Sequence, residues 1–260
     1  MDIRSWRGVA AGALCAALAN PVIAEPGREL LFGDTHLHTS YSFDAYLNRN
    51  QTGDPDTAYR WAKGMPVVHP YHRARVQIGA PLDFLVVSDH AELMGVIRAI
   101  NLGSEELEDL GWWGNLKRWF ALQVLNRAIE QGAGSGVFNS LLPVPPERPG
   151  GDPVSDPANA FADNAFGDTT AMETTAWHEI VDAAERHNLP GEFTSLIGWD
   201  WSSIPVGANL HRIVFTPDGG NQARQFLPFG SDQSQYPQDL WQWLEDTSER
   251  TGARFIAMPH

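Results

Sequence analysis

The chain has 260 residues, of which 43% are hydrophobic and 19% charged, and it carries a formal net charge of −14. That length suits one large α/β domain or two small ones, and the mixture is that of a globular chain rather than a disordered one. The negative charge argues against DNA, RNA or an anionic membrane as partner. It leaves a phosphorylated small molecule open, because a few local arginines outweigh a distant field.

Arg4 and Arg7 precede an apolar run from Val9 to Ala19, and Val22-Ile23-Ala24 offers small residues before Glu25. This pattern predicts a signal peptide over 1–24 and a periplasmic or secreted protein that no membrane holds after cleavage. The one cysteine, Cys15, falls inside that segment. The mature chain is then expected to hold metal by histidine and carboxylate only. Export also disfavours cytosolic nucleotide cofactors, and the sequence shows no Gly-rich phosphate loop ending in Lys-Ser/Thr.

A first strand is predicted from Glu29 to His36, running into Asp34-Thr35-His36-Leu37-His38. Side chains two apart share a strand face, so His36 and His38 would project together and grip one ion. A short helix follows over Pro55–Lys63, capped by Asp54. The next loop holds His69, His72, Arg73 and Arg75, which read either as plain loop residues or as phosphate contacts. Leu82 to Ser88 is a continuous apolar run, the mark of a strand buried on both faces in a parallel sheet. It ends on Asp89-His90, where Asp89 reads as a ligand, as the cap of a helix from Ala91 to about Asn101, or as both.

A longer helix is predicted from Glu105 to about Gln131, broken near Gly111 or Gly114. Residues 132–168 are rich in glycine and proline and read as an irregular insertion. A helix from Thr170 to His187 would place His178 and His187 at the surface. Phe193 to Trp199 is a strand that delivers Asp200 between Trp199 and Trp201. A carboxylate in such surroundings is costly unless a cation or hydrogen bonds compensate. Asn209 to Phe215 is a strand with His211 and Arg212 near its start. A helix over Pro237–Arg250 and a strand over Arg254–Met258 lead to His260. Trp112, Trp113, Trp241 and Trp243 are expected to pack helices or line a lid. Alternating strands and helices, with ligands at strand ends, describe an α/β barrel or an open parallel sheet.

These motifs resemble the polymerase and histidinol phosphatase (PHP) superfamily, in its secreted branch of uncharacterised domains. The residues that carry the likeness are Gly33 to Thr39, Ser42 to Ala45, Pro81 to Glu92, Pro190 to Thr194, Gly198 to Ser202, Asn209 to Arg212, and Pro259-His260. It spans essentially all of residues 29–260. The resemblance implies a distorted, about seven-stranded β/α barrel with two or three zinc, manganese or iron ions at one edge. It also implies a phosphoesterase that uses a metal-bridged hydroxide on a small phosphorylated substrate.

Carried over by position, the implied ligands are His36, His38, His90, Asp200, His211 and His260, with Asp200 standing where a bridging glutamate is usual. Asp89 joins the metal candidates from its place at a strand end, and Asp200, His211 and Arg212, which directly follows a ligand, are the candidate catalytic residues. Asp34, Asp44, Glu92, His69 and His72 form a second tier. The family's last Asp-x-His motif is missing, so the barrel is expected to be incomplete and a longer protein to continue past His260. Two alternatives stand beside this reading. One is an amidohydrolase-like enzyme, although Lys63 and Lys117 fall on predicted helices and not at strand ends. The other is a metal-binding protein without catalysis.

Overall fold

A computed structural model describes residues 29–104, 109–134, 136, 168–204 and 208–260. The predicted signal peptide and most of the 132–168 insertion lie outside the described residues, as do 105–108 at the start of the predicted long helix. All elements below belong to the unit Leu31–His260.

The chain folds as a mixed α/β structure. Its main sheet takes the order β1 (Gly33–Leu37), β4 (Phe84–Val87), β5 (Thr194–Trp201), β6 (Arg212–Thr216) and β7 (Ile256–Pro259). A separate hairpin pairs β2 (Val67–Val68) with β3 (Arg75–Val76). The helices are α1 (Phe43–Leu47), α2 (Pro55–Ala62), α3 (Val96–Leu102), α4 (Gly111–Glu130), α5 (Thr170–His187), α6 (Gly220–Ala223) and α7 (Pro237–Thr251). Among the described residues no helix is long and apolar enough to cross a membrane.

β1, β4 and β5 are parallel, as the unbroken apolar run of β4 leads one to expect. β6 departs from that expectation. It runs antiparallel to both β5 and β7. The link over 202–211 carries no helix among its described residues and is too short for a parallel crossover. The reversal places the start of β6 at the same sheet edge as the ends of the other four strands.

Alternation divides the sheet's side chains between two faces. Leu85, Val87, Ile197, Trp199, Trp201 and Val214 join the large core, together with Tyr59 of α2, Trp177 of α5 and Leu240 of α7. Val86, Ile213 and Phe215 form a small inner cluster against Leu196 and Met258. The sheet curls into a half-barrel around that inner face. Five flat strands at about 4.8 Å spacing would hold β1 and β7 roughly 19 Å apart. The rings of His36, on β1, and His260, beyond β7, instead have centroids 3.9 Å apart.

Several predicted boundaries shift. The first strand starts only at Gly33, with Leu30, Leu31 and Phe32 exposed. Residues 91–95 turn before α3 begins at Val96. β5 runs on through Trp201, so Asp200 sits within the strand and not after it. Trp112 and Trp113 do not pack helices; they are 69% and 66% exposed. α4 mixes apolar and polar residues around its circumference, and its buried residues are Leu125, Ala128 and Ile129 of the C-terminal turns. His187 is buried rather than superficial, bonded to Asp56 at 2.9 Å and to Lys63 at 3.2 Å.

α2 and α5 form where the sequence places them. Pro55 opens α2 and Asp54 Oδ1 accepts the Thr57 N–H at 2.8 Å, satisfying one of the helix's free donors. α5 buries Met172, Ala176, Ile180, Ala184 and His187, a stripe at helical spacing.

Candidate metal centre

Five histidines and two aspartates meet at one edge of the sheet. β1 delivers His36 and His38. Its register against β4 slips between Asp34 and Leu37, a bulge that aims side chains as bulges at strand ends do. Leu37 packs on the large core, so its neighbours His36 and His38 face inward. His90 lies just past β4 and bridges Asp200 of β5. His211 stands before β6 and His260 after β7, across the pair Arg212–Pro259. α1 adds Asp44.

Asp200 Oδ2 is the centre of this group. His211 Nδ1 lies 3.0 Å from it, His90 Nδ1 and His260 Nε2 each 3.4 Å, and His38 Nε2 3.9 Å. The other oxygen, Oδ1, is buried without a hydrogen-bond partner. His36 Nε2 faces His38 Nε2 at 2.9 Å. Asp44 lies 3.6 Å from His90 Nε2 and 3.9 Å from His38 Nδ1. Ligand atoms within 4.8 Å of one another form three overlapping sets: His36–His38–Asp200, His38–Asp44–His90 and His90–Asp200–His211.

A ring of polar groups fixes these ligands. His38 Nδ1 is 2.7 Å from Ser42 Oγ, which also accepts the His90 N–H at 2.9 Å. That contact at Nδ1 leaves Nε2 of His38 turned toward His36 and Asp200. Glu92 Oε1 accepts the Ser202 and Ser231 N–H groups, while its Oε2 lies 3.9 Å from His90 Nδ1. Ser202 Oγ also bonds His90 Nδ1, and Phe43 stacks on the His90 ring.

The charges follow from burial and neighbours. Burial lowers His36, helped by His260. Burial with His90 nearby takes His38 down to about 4, so it stays neutral. Burial would lower His90 as well, but the Asp44 carboxylate beside it and the charges of Glu92 and Asp200 outweigh it and raise it to about 9. Asp44 falls to about 2 despite burial, because His90 lies beside it. Asp200 is lowered against its own desolvation by His211, His90 and His38.

Not every sequence-predicted residue joins the group. Asp89 is wholly buried, but its oxygens accept the Thr39 N–H at 2.5 Å and the Thr39 hydroxyl at 2.6 Å. It braces the His38 loop, and it does not cap a helix. Arg212 leaves β6 on the face of Val214 and Trp201, opposite to His211, and its Nη1 bonds the Leu210 and His211 carbonyls. Asp34 Oδ1 accepts the His36 N–H at 2.9 Å. His69 and His72 stack together on the β2–β3 loop, outside the three ligand sets. Lys63 ends α2 beside His187, and Lys117 lies on α4. Sequence reasoning assigned no role to Ser42, Phe43 or Ser202. Their signal was membership of the segments Ser42 to Ala45 and Gly198 to Ser202, next to the histidine and aspartate positions.

The donor set fits a divalent ion. A buried carboxylate oxygen without a partner, Asp200 Oδ1, is costly unless a cation satisfies it, and the imidazole nitrogens gathered around the same carboxylate are donors such an ion takes. Imidazole and carboxylate ligands without thiolate suit zinc, manganese or iron. The fold and this edge define a mixed α/β protein with grouped histidine and aspartate residues able to hold metal. The family described as "Protein of unknown function (DUF3604)" matches residues 25–260, and the chain belongs to it. No curated protein and no solved structure matches the chain.

Proposed function

We propose that the protein is an exported metal-dependent hydrolase, a phosphoesterase acting on a small molecule with two or three divalent ions. The observation that carries this reading is the convergence of His36, His38, His90, His211 and His260 with Asp44 and Asp200 at one sheet edge. The three ligand sets overlap at His38, His90 and Asp200, and of these Asp200, with two carboxylate oxygens, is the one able to serve two neighbouring ions. The motif likeness to the PHP superfamily supports the same chemistry. Held there, divalent ions supply a water acidic enough to deprotonate near neutral pH and positive charge for a developing oxyanion.

In the reaction the oxygen of a water bonds to phosphorus and the ester P–O bond breaks. The water's two protons end on the alcohol and on phosphate or buffer. The chain's own part is orientation. Ser42 holds His38 at Nδ1 and leaves Nε2 facing the group, Asp89 braces the preceding turn through Thr39, Glu92 and Ser202 set the His90 ring, and Asp200 gathers four imidazoles around one oxygen.

The full chain, purified and assayed for metal content, should carry zinc, manganese or iron. With manganese or zinc added it should hydrolyse members of a panel of phosphomonoesters, phosphodiesters and amides. Loss of phosphoester hydrolysis in His36→Ala and His90→Ala supports the reading. Cleavage of amides alone moves the protein to an amidohydrolase-like class, and bound metal without turnover marks a binding protein.

A further inference from the structure

Beside the ligand cluster lies a cavity of about 310 Å³. Leu37, Ala58, Trp61, Val67 and Val76 line it beside the polar Asn50, Thr57 and His69, and His38 belongs both to its lining and to the ligand cluster. No Asp, Glu, Lys or Arg lines it. The hairpin β2–β3, which stands apart from the main sheet, contributes Val67 and Val76 as one wall, paired across its register. His69 Nδ1 accepts the Tyr71 and His72 N–H groups at 3.2 and 3.1 Å, so the His69 proton sits on Nε2 as a hydrogen-bond donor.

From this we infer that the cavity receives the uncharged, largely apolar part of the substrate, while the ester group lies at the His38 end. The inference rests on the hydrolase reading above and narrows its substrate class. A cavity of about 150 Å³ holds one benzene ring, so this one suits a bicycle of about ten non-hydrogen atoms. A largely apolar hollow with no cationic Lys or Arg in its lining disfavours the anionic part, which belongs at the metal cluster. Arg73 and Arg75, which the sequence left as either plain loop residues or phosphate contacts, are exposed and do not line it. His69 selects a ligand with one acceptor, such as a hydroxyl or carbonyl oxygen, on its apolar part.

The test uses the full chain loaded with manganese. Its kcat/KM should be at least tenfold higher for 1-naphthyl phosphate than for glycerol phosphate, mainly through KM. The neutral probe 1-naphthol should bind by isothermal titration. Val76→Trp, or Val67→Trp should the first not fold by circular dichroism, should abolish naphthol binding and collapse the preference between the two esters. Absence of naphthol binding, or equal use of both esters unaffected by either variant, overturns the cavity assignment while leaving hydrolysis intact. If no phosphoester is cleaved the hydrolase reading fails by itself, and naphthol binding with its loss in Val76→Trp still decides the cavity.

Discussion

Four imidazoles around one carboxylate oxygen make Asp200 the residue on which the centre depends most. Asp200→Asn keeps the shape and removes the charge, leaving His90 and His211 facing a neutral amide. Metal affinity should fall at least about 100-fold, more than the roughly 10–100-fold typical of lost supporting groups, as read by competition with a chromogenic chelator. His90 carries the pH dependence. Its folded pKa of about 9 exceeds the ordinary 6.5, so the folded state holds the proton more tightly. That stability is complete below pH 6.5 and is lost as pH rises through 9, a change of about 3 kcal/mol. The metal-free protein should therefore melt progressively lower between pH 6.5 and 9, and His90→Gln should flatten this arm. Metal must displace the same proton, so its affinity should rise about tenfold per pH unit below 9. Titration in buffers of different ionisation enthalpy should count that proton.

Among the elements, β5 bears the centre's geometry. Gly198 lies on the inner face two residues before Asp200. A Cβ there would come within 2.6 Å of Val86 Cγ1, 2.7 Å of the Val214 carbonyl and 2.9 Å of Phe215 Cβ. Gly198→Ala should cost about 1–3 kcal/mol by overpacking, measured in urea, and should weaken metal binding because Asp200 moves with the strand. The elements also show where sequence legibility stops. Asp54-Pro55 announces α2 because cap and proline act locally, and α5 is readable from its apolar stripe. The direction of β6 is not readable, because nothing in Ile213-Val214-Phe215 records which way its neighbours run. Arg212 follows from the same gap. Its adjacency to His211 suggested a shared role, but adjacent residues on a strand point to opposite faces.

For the molecule as a whole, curvature joins what the sheet order separates. β1 and β7 are opposite edges, yet His36 and His260 meet, so an ion held by this group ties the two edges together. At a concentration of about 100 times its Kd, such an ion adds about 2.7 kcal/mol, or roughly 5–10 °C in melting temperature for a domain of this size. Calorimetry with manganese or zinc, then with excess chelator, should show that rise and its reversal. His260→Ala should remove much of it by releasing one edge.

The residues of the centre were written in the sequence. His36, His38, His90, Asp200, His211 and His260 all stand beside predicted strands, because ligands cluster where strands meet an open edge and strand patterns are local. Tertiary structure alone decided which of them converge. Asp89, beside His90 in sequence, turns to Thr39, whereas Asp44 reaches the group from a helix that the sequence did not announce. The physical reason is range: side-chain alternation and helix caps act over a few residues. Sheet curl, the reversal of β6 and the choice of partner for a buried carboxylate arise from contacts between segments far apart in the chain.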